Sequence, residues 1–249
     1  MSITNYTKFV DEYNLLHTNK LPKNQYGGSK DNKFVLIFLG KPGAGKGTQL
    51  QYMFDKGYIG ISVGEVLRSM AKKDTPEAKK LRNIMNSGKL LPSAFVMDLV
   101  AKAIPNNRKT GIIFDGCVRQ LEQAKALDKI LKKKRIKIDA VIEINTPDKV
   151  IIKRIADRYV CSSCGAIYNK GSKDTQVKDI CDICKGIEFY QRDDDKPSVV
   201  KNRLKIYKEK NKPIVNYYKK KGIYYKASGR DGIAENTDKN VMKILKKLK

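Results

Sequence analysis

The chain has 249 residues, and 41% of them are hydrophobic, which is enough to form a core and excludes a disordered polycation. Its 52 basic residues outnumber 26 acidic ones, so the formal net charge is +26. The longest apolar run, residues 34–39, is too short to cross a bilayer, and no secretory signal follows Met1, so we expect an intracellular protein, in the cytoplasm or an organelle, that binds no membrane.

The first 33 residues carry polar and turn-forming side chains around one weakly amphipathic stretch. We expect them to form an N-terminal extension outside the main fold. From residue 34 onward, apolar strands alternate with helices. The predicted strands are 34–39, 58–61, 111–114, 138–144 and 222–226, and the predicted helices are 46–55, 64–73, 76–87, 92–104, 118–133, 147–158, 195–220 and 235–248. Such alternation is typical of an α/β fold whose parallel sheet is covered by helices on both faces.

A glycine-rich loop separates the first predicted strand from the first helix. Residues 40–48 read GKPGAGKGT and match the phosphate-binding pattern G-x4-G-K in its required strand–loop–helix context. The backbone N–H groups of such a loop surround a phosphate, and Lys46 reaches the β- and γ-phosphates. The residue after Lys46 is Gly47, and the hydroxyl follows at Thr48. The loop therefore predicts binding of a nucleoside triphosphate.

Four cysteines form two closely spaced pairs. Cys161 and Cys164 are followed, after sixteen residues, by Cys181 and Cys184. Four thiolates complete a tetrahedral zinc site with no position open for water, which is a structural rather than a catalytic site. Disulfides are the alternative, but an intracellular chain favours metal binding.

Several motifs, in unbroken order over residues 34–249, resemble those of the adenylate kinase family. The glycine loop ends in the family's Gly-Lys-Gly-Thr-Gln, and residues 61–68, 88–90 and 115–119 resemble its I-S-T-G-D-x-L-R, G-K-L and D-G-F-P-R motifs. The cysteine segment is similar to the zinc-binding lid of its long-form members. The resemblance implies reversible, Mg²⁺-dependent phosphoryl transfer, ATP + AMP = 2 ADP, by a chain that we expect to be a monomer.

The family's fold is an α/β P-loop three-layer parallel sheet core with a helical acceptor-binding insertion and a small zinc-binding lid. By resemblance, the core comprises residues 34–63, 92–158 and 192–249. The helices that bind the nucleoside monophosphate span 64–91, and the lid spans 159–191.

The resemblance also assigns site residues. Catalysis would depend on Lys46, Arg119, Arg158, Arg192 and Arg203. ATP would be bound by Gly43, Ala44, Gly45, Lys46, Gly47, Thr48, Arg154 and Arg158, with Arg154 stacked on the donor base. AMP would be bound by Val63, Arg68, Gly116, Arg119, Gln123, Arg192 and Arg203. Asp115 would lie on the Mg²⁺ side and act through coordinated water, Asp194 and Asp195 would pair with arginines, and the four cysteines would hold a structural Zn²⁺.

Six of the ten arginines fall on these family positions, although lysine is four times as frequent in the chain. Planar guanidinium groups bind phosphates bidentately, which lysine cannot do. This concentration of arginines supports a site that grips several phosphates.

Some positions depart from the family. Val63 replaces a threonine, and Cys117-Val118 replaces Phe-Pro, whose peptide bond is cis in the family. A cis bond before a residue other than proline costs ~3–4 kcal/mol, so we expect a trans bond here. These changes leave other hypotheses open: a kinase that uses GTP or another monophosphate, and a nucleotide-binding protein with little catalysis.

The basic charge raises a third class, a zinc-containing nucleic-acid binder. The lysines, however, are spread over nearly every segment. Such a distribution favours a solvated surface over a nucleic-acid groove, where basic and aromatic residues alternate.

Overall fold

A computed structural model describes residues 34–105 and 110–248 of the chain. The predicted N-terminal extension, residues 1–33, lies outside the described residues. The strands are β1 (Val35–Leu39), β2 (Ile59–Ser62), β3 (Ile112–Asp115), β4 (Ala140–Asn145), β5 (Arg158–Cys161), β6 (Ile167–Asn169), β7 (Phe189–Tyr190) and β8 (Tyr224–Ser228). The helices are α1 (Lys46–Phe54), α2 (Val63–Ala71), α3 (Pro76–Asn86), α4 (Ser93–Ala103), α5 (Leu121–Lys133), α6 (Asp148–Ala156), α7 (Pro197–Lys220) and α8 (Ala234–Lys247).

Five parallel strands form the central sheet, in the order β2-β3-β1-β4-β8. Strand β1 lies in the middle, and all five of its residues are buried. A strand covered on both faces needs an apolar side chain at every position, which is why β1 reads as an unbroken apolar run. The predicted parallel α/β sheet is confirmed.

Helices cover both faces of the sheet. On one face, α2, α4, α5 and α7 contribute to a large apolar cluster with Val35, Ile37 and Leu39 of β1. On the other face, α1 and α8 pack on Leu36 and Phe38. The alternating side chains of one strand thus enter two separate cores, as the pleat of a strand requires. The result is the expected three-layer architecture.

The bounds of all eight predicted helices differ from those in the structure by one to three residues at one or both ends, and two of these differences have a cause in hydrogen bonding. Helix α5 begins at Leu121 rather than at 118, because the side-chain oxygen of Gln123 accepts a hydrogen bond from the backbone N–H of Arg119 (2.7 Å) and holds the preceding turn outside the helix. Helix α6 ends at Ala156, since Arg158 enters β5 and pairs with Asn169 of β6.

The chain between α6 and α7 forms a small antiparallel sheet, in the order β6-β5-β7. Cys161 is the last residue of β5, and Cys164, Cys181 and Cys184 lie in the segments that connect the strands. The rings of Tyr159, Tyr168 and Phe189 contact one another within this sheet, at centroid distances of 5.3 to 5.8 Å. This segment corresponds to the predicted lid. We refer to residues 159–191 as the lid below.

The peptide bond between Cys117 and Val118 agrees with its prediction. Among the described residues there is no cis peptide bond, so the Cys117–Val118 bond is trans as expected. Within the same ranges, no helix has both the length and the apolar composition that crossing a bilayer requires.

Candidate active site

The predicted site residues meet at the carboxyl ends of the parallel strands. The glycine loop follows β1, Ser62 ends β2, and Asp115 ends β3. Because the carboxyl ends of parallel strands share one edge of the sheet, segments that are distant in sequence become neighbours there.

The glycine loop depends on positive backbone angles and close approaches. Gly43 and Gly45 have φ of 77° and 99°, a region that side chains with a Cβ rarely adopt. A Cβ on Gly43 would lie 2.6 Å from Cδ1 of Ile155. Helix α1 then begins at Lys46, so its N-terminus and the loop face the same space.

Lys46 lies against the loop that precedes it. Its Nζ donates to the carbonyl oxygens of Gly40 (2.8 Å) and Lys41 (3.0 Å). Loss of solvent in the cleft lowers the pKa of Lys46 to about 8, and the carboxylate of Asp115 opposes that shift. Nearby arginines, including Arg119, lower the pKa further. An anion that binds between these cations would relieve their repulsion.

All six arginines singled out by the sequence line one cleft of about 400 Å³. They come from different elements: α2, the turn after β3, α6, β5, the segment after the lid, and α7. They are Arg68, Arg119, Arg154, Arg158, Arg192 and Arg203. The eight predicted ATP-binding residues and Asp115 line the same cleft.

Two buried aspartates pair with arginines of the cleft. Arg158 makes two hydrogen bonds to Asp195, one of them from Nε at 2.7 Å. Nη1 of Arg203 lies 2.6 Å from Oδ2 of Asp194. Both aspartates occupy a 3₁₀ turn just before α7. The expected pairing of these residues with arginines is confirmed.

Glu65 is a site residue that the sequence analysis missed. It accepts hydrogen bonds from Arg68, three residues later on α2, and from Arg192 (2.9 Å), which follows the lid. The i,i+3 spacing to Arg68 was the available signal. Loss of solvent on its own would lower the pKa of Arg68, but the negative charges of Glu65 and Asp194 together raise that pKa above its usual value.

Arg119 differs from the other arginines. Its Nε donates to the carbonyl oxygen of Gly116 (3.2 Å), and no carboxylate of the described residues lies within 4.0 Å of its guanidinium. Partial loss of solvent in the cleft lowers its pKa, with the charge of Asp115 acting in the opposite direction. A guanidinium that lines the cleft without a carboxylate partner suits an anionic ligand.

A smaller pocket, of about 50 Å³, adjoins the cleft beside α2. Six of the seven predicted AMP-binding residues line it: Val63, Arg68, Gly116, Arg119, Gln123 and Arg203. The seventh, Arg192, lines the cleft. Because the backbone N–H of Arg119 can only donate, the Gln123 atom that faces it is the oxygen, and the amide nitrogen remains as a donor.

Asp115 fits a role beside Mg²⁺. One carboxylate oxygen accepts from the hydroxyl of Ser62 (3.3 Å), and the other is buried with no hydrogen-bond partner among the described residues. A carboxylate oxygen left in this way can accept from metal-bound water, because Mg²⁺ keeps several of its waters in proteins. Thr48 supplies a hydroxyl in the same cleft.

The four lid cysteines fit a tetrahedral metal ion. Their sulfur atoms all lie within 4.8 Å of one another, and the Cys161–Cys184 and Cys164–Cys181 sulfur pairs are 3.5 Å apart. These sulfur–sulfur distances are longer than a disulfide bond, which is about 2.05 Å. They approach the ~3.8 Å distance between sulfur atoms in a ZnS₄ tetrahedron with ~2.3 Å Zn–S bonds. All four cysteines are free thiols in the structure.

The lid covers the glycine loop. A Cβ on Gly47 would lie 3.4 Å from Cδ1 of Ile167, and Asn169 donates to the carbonyl oxygen of Arg154 (2.6 Å). Arg154 in turn donates to the carbonyl oxygens of Ala44 and Gly232, which joins the glycine loop to the loop before α8. The cleft is therefore enclosed by the core, the lid and the loop after β8.

Comparisons with known proteins agree with this geometry. The family model described as adenylate kinase matches residues 38–223. The chain is 41% identical to an adenylate kinase of Caldicellulosiruptor bescii over 84% of this chain and 98% of that protein. It is 43% identical to one of Archaeoglobus fulgidus over 86% and 99%, and 38% identical to one of Limosilactobacillus reuteri over 86% and 99%.

Proposed function

The chain belongs to the adenylate kinase family of phosphotransferases, and we propose that its cleft carries out the reaction ATP + AMP = 2 ADP with the residue roles given below. The observation that supports these roles best is the convergence of Lys46 and six arginines on one cleft. Phosphoryl transfer asks the protein mainly to align two nucleotides and to stabilise charge on the transferring group.

ATP binds with its phosphates in the glycine loop. The loop residues 43–48 cradle the β- and γ-phosphates, and Lys46 contacts them directly. Arg154 is held in place by its hydrogen bonds to Ala44 and Gly232, so its planar guanidinium can stack on the donor base.

AMP binds in the smaller pocket. Arg68 and Arg119 hold its phosphate, and Arg119 is the stronger candidate because it has no carboxylate partner within 4.0 Å among the described residues. The free amide nitrogen of Gln123 donates to N1 of adenine, whereas guanine carries a donor at that atom. This arrangement favours AMP over GMP.

Arg158, Arg192 and Arg203 surround the phosphoryl group in transit. Each is ion-paired with Asp195, Glu65 or Asp194, and these contacts fix the guanidinium groups in advance. Preorganised cations stabilise developing charge without reorganising during the reaction. Adenylate kinases use Mg²⁺ with ATP; bound here, it would neutralise phosphate charge, and Asp115 would hold its waters.

The lid and the helices at 64–91 act as parts distinct from the core. We propose that Zn²⁺ bound to Cys161, Cys164, Cys181 and Cys184 holds the lid together and takes no part in transfer. We also propose a working monomer, because residues of one chain line the whole cleft.

A panel of nucleoside monophosphates, offered with ATP or GTP in a coupled assay, tests the proposal. We expect ATP with AMP to give the highest kcat/KM, and activity to require Mg²⁺. Higher kcat/KM with GTP, or with another acceptor, would contradict the assigned bases. Tight ATP binding without transfer to any acceptor would instead support the nucleotide-binding alternative.

A further inference from the structure

Glu143 is a buried carboxylate with no part in the proposed chemistry. It lies on β4, inside the central sheet, and is only 8% exposed. No lysine or arginine of the described residues pairs with it within 4.0 Å. Burying a carboxylate is costly unless hydrogen bonds satisfy it, so its presence calls for a physical reason.

Three donors from two other elements satisfy this carboxylate. One oxygen accepts from the hydroxyl of Tyr207 (2.6 Å) and the amide nitrogen of Asn211 (2.8 Å), both on α7. The other oxygen accepts from the hydroxyl of Tyr224 on β8. Burial tends to raise the pKa of Glu143, but these hydrogen bonds hold that pKa below its usual value. The carboxylate therefore connects β4, β8 and α7 through hydrogen bonds. Glu143, Tyr207, Asn211 and Tyr224 together are called the joint.

The α7 residues of this joint share a helix face with an arginine of the cleft. Arg203, Tyr207 and Asn211 are spaced four residues apart, so they form one stripe along α7. All three line a side cavity of about 70 Å³ between α7 and the glycine loop. Val200 and Leu204 pack against Ala44 of the glycine loop, but the cavity leaves the stretch of α7 around Tyr207 and Asn211 less closely packed beside that loop.

Helix α7 is also weakened next to the joint. Pro213 lies inside the helix, two residues after Asn211. A proline within a helix removes one backbone hydrogen bond and tends to kink the helix. Beyond it, the buried side chains of Ile214 and Tyr218 hold the C-terminal part of α7 on the sheet. Before it, Val200 and Leu204 pack the first turns of α7 on the core, and Tyr207 and Asn211 attach the stretch between these turns and Pro213.

We propose that Glu143 is a positioning residue for phosphoryl transfer. Through Tyr207 and Asn211 it fixes the N-terminal part of α7, so that Arg203 reaches the cleft in the geometry that transfer requires. The inference rests on the proposed role of Arg203. A misplacement of about 1 Å can cost on the order of 100-fold in rate, so the joint affects kcat more than nucleotide binding.

Steady-state kinetics of the full-length chain test this role. We expect Glu143→Ala to lower kcat by about 10- to 100-fold while the KM values for ATP and AMP change less than about threefold. Glu143→Gln should restore kcat to within about threefold of the wild type, since its oxygen accepts from Tyr207 and Asn211 and its amide donates to Tyr224. Tyr207→Phe, which removes one hydrogen bond, should lower kcat by about three- to tenfold.

Leu131→Ala is the matched control for lost stability. Leu131 is buried in α5, in the half of that helix that runs away from the cleft. We expect the Leu131→Ala variant to lower Tm about as much as Glu143→Ala does. Its kcat, measured well below Tm, should equal the wild-type value. Equal kcat in the two alanine variants, or a Glu143→Gln enzyme no faster than Glu143→Ala, would overturn the proposal. If Glu143→Ala does not fold, wild-type kcat in Tyr207→Phe would overturn it.

Binding of a bisubstrate analogue, two adenosines joined by five phosphates, separates this inference from the proposed function. A wild-type chain that fails to phosphorylate AMP contradicts the proposed function and leaves the binding readout intact. We expect Glu143→Ala to weaken binding of the analogue at least tenfold relative to Leu131→Ala, because the phosphate chain of the analogue also fills the position of the phosphoryl group in transit, where Arg203 acts, and the separate ATP and AMP complexes lack that contact. Equal affinities would count against the positioning role, whatever the activity.

Discussion

Lys46 is a half-buried charge whose shifted pKa predicts a pH dependence of ATP binding. Loss of solvent lowers its pKa to about 8, so this amine loses its proton in a pH range where a terminal phosphate, whose second pKa is about 6, is already fully ionised. Since ATP binding needs the charged amine, the affinity of the nucleotide-free enzyme should fall as pH rises through about 8. We expect about a tenfold loss in ATP affinity from about pH 7 to about pH 9, measured by calorimetry.

Lys46→Met is the control for that titration. It should abolish transfer, weaken ATP binding, and remove the pH dependence above about pH 7, because methionine has no proton to lose. The same slope in the wild type and the variant would assign the titration to another group.

Gln123 carries the prediction about the acceptor base. Replacing its amide by an apolar side chain of similar size, Gln123→Leu, removes the donor that faces the small pocket and the acceptor for the N–H of Arg119. The KM for AMP should rise about tenfold or more while the KM for ATP stays within about twofold. An equal rise in both values would mean that the residue supports the fold rather than the acceptor.

Asp115→Asn tests the carboxylate beside the nucleotide phosphates. The amide keeps the shape and the contact with Ser62 but loses the negative charge. We expect kcat with Mg²⁺ to fall by about 100-fold, and the affinity for metal-free ATP to stay the same or increase, because a repulsive charge is gone. Undiminished kcat would exclude a role beside the metal.

At this scale the sequence identified residues whose chemistry is carried by a motif, such as Lys46 and the six arginines. It did not identify Glu65 or Glu143. The partners of these carboxylates lie 127 positions away for Arg192 and 64 for Tyr207. Such contacts depend on how the elements pack, and the sequence carries no local pattern for them; the i,i+3 spacing of Glu65 to Arg68 was the one local signal.

Among the elements, the lid gives the most specific prediction, because its cysteines should hold zinc. Elemental analysis should find one Zn²⁺ per chain. Cys161→Ser should lower the free energy of unfolding, followed through Tm, by more than it lowers the free energy of ATP binding, because the site organises the lid rather than the phosphates. Cys117→Ser is a matched control, since Cys117 is buried in the core and is not among the four clustered thiols. It should leave the zinc content unchanged. If Cys161→Ser lowers the free energy of ATP binding by more than the free energy of unfolding, a structural role for the metal site is contradicted.

The sequence predicted the eight helices and the five strands of the central sheet, but it did not predict the three short strands β5, β6 and β7 or the exact helix boundaries. Helix α6 ends two residues before Arg158, because Arg158 is the first residue of β5 and pairs with Asn169 of β6. The late start of α5 depends on the side chain of Gln123 accepting from the residue four positions earlier. Both boundaries are set by hydrogen bonds that compete with the helix, and hydrophobic periodicity does not report them.

For the whole molecule, the parallel sheet explains why distant motifs form one site. The glycine loop and Asp115 are brought to one edge because β1 and β3 pair in parallel register, with Phe38 opposite Asp115. The strand order and the position of the lid over the glycine loop do not follow from composition or periodicity, because both depend on contacts between elements that are distant in sequence. The two kinds of basic residue are distributed differently: lysines occur in nearly every segment, whereas six of the ten arginines line the cleft.

The most direct test of the account is the binding stoichiometry of the bisubstrate analogue in the presence of Mg²⁺. If two nucleotides bind end to end between the glycine loop and the ring of arginines, one analogue molecule should bind per chain and should exclude both ATP and AMP. Titration calorimetry, followed by competition with each nucleotide, measures this. Binding of two analogue molecules per chain, or undiminished AMP binding to the saturated protein, would contradict a single shared cleft.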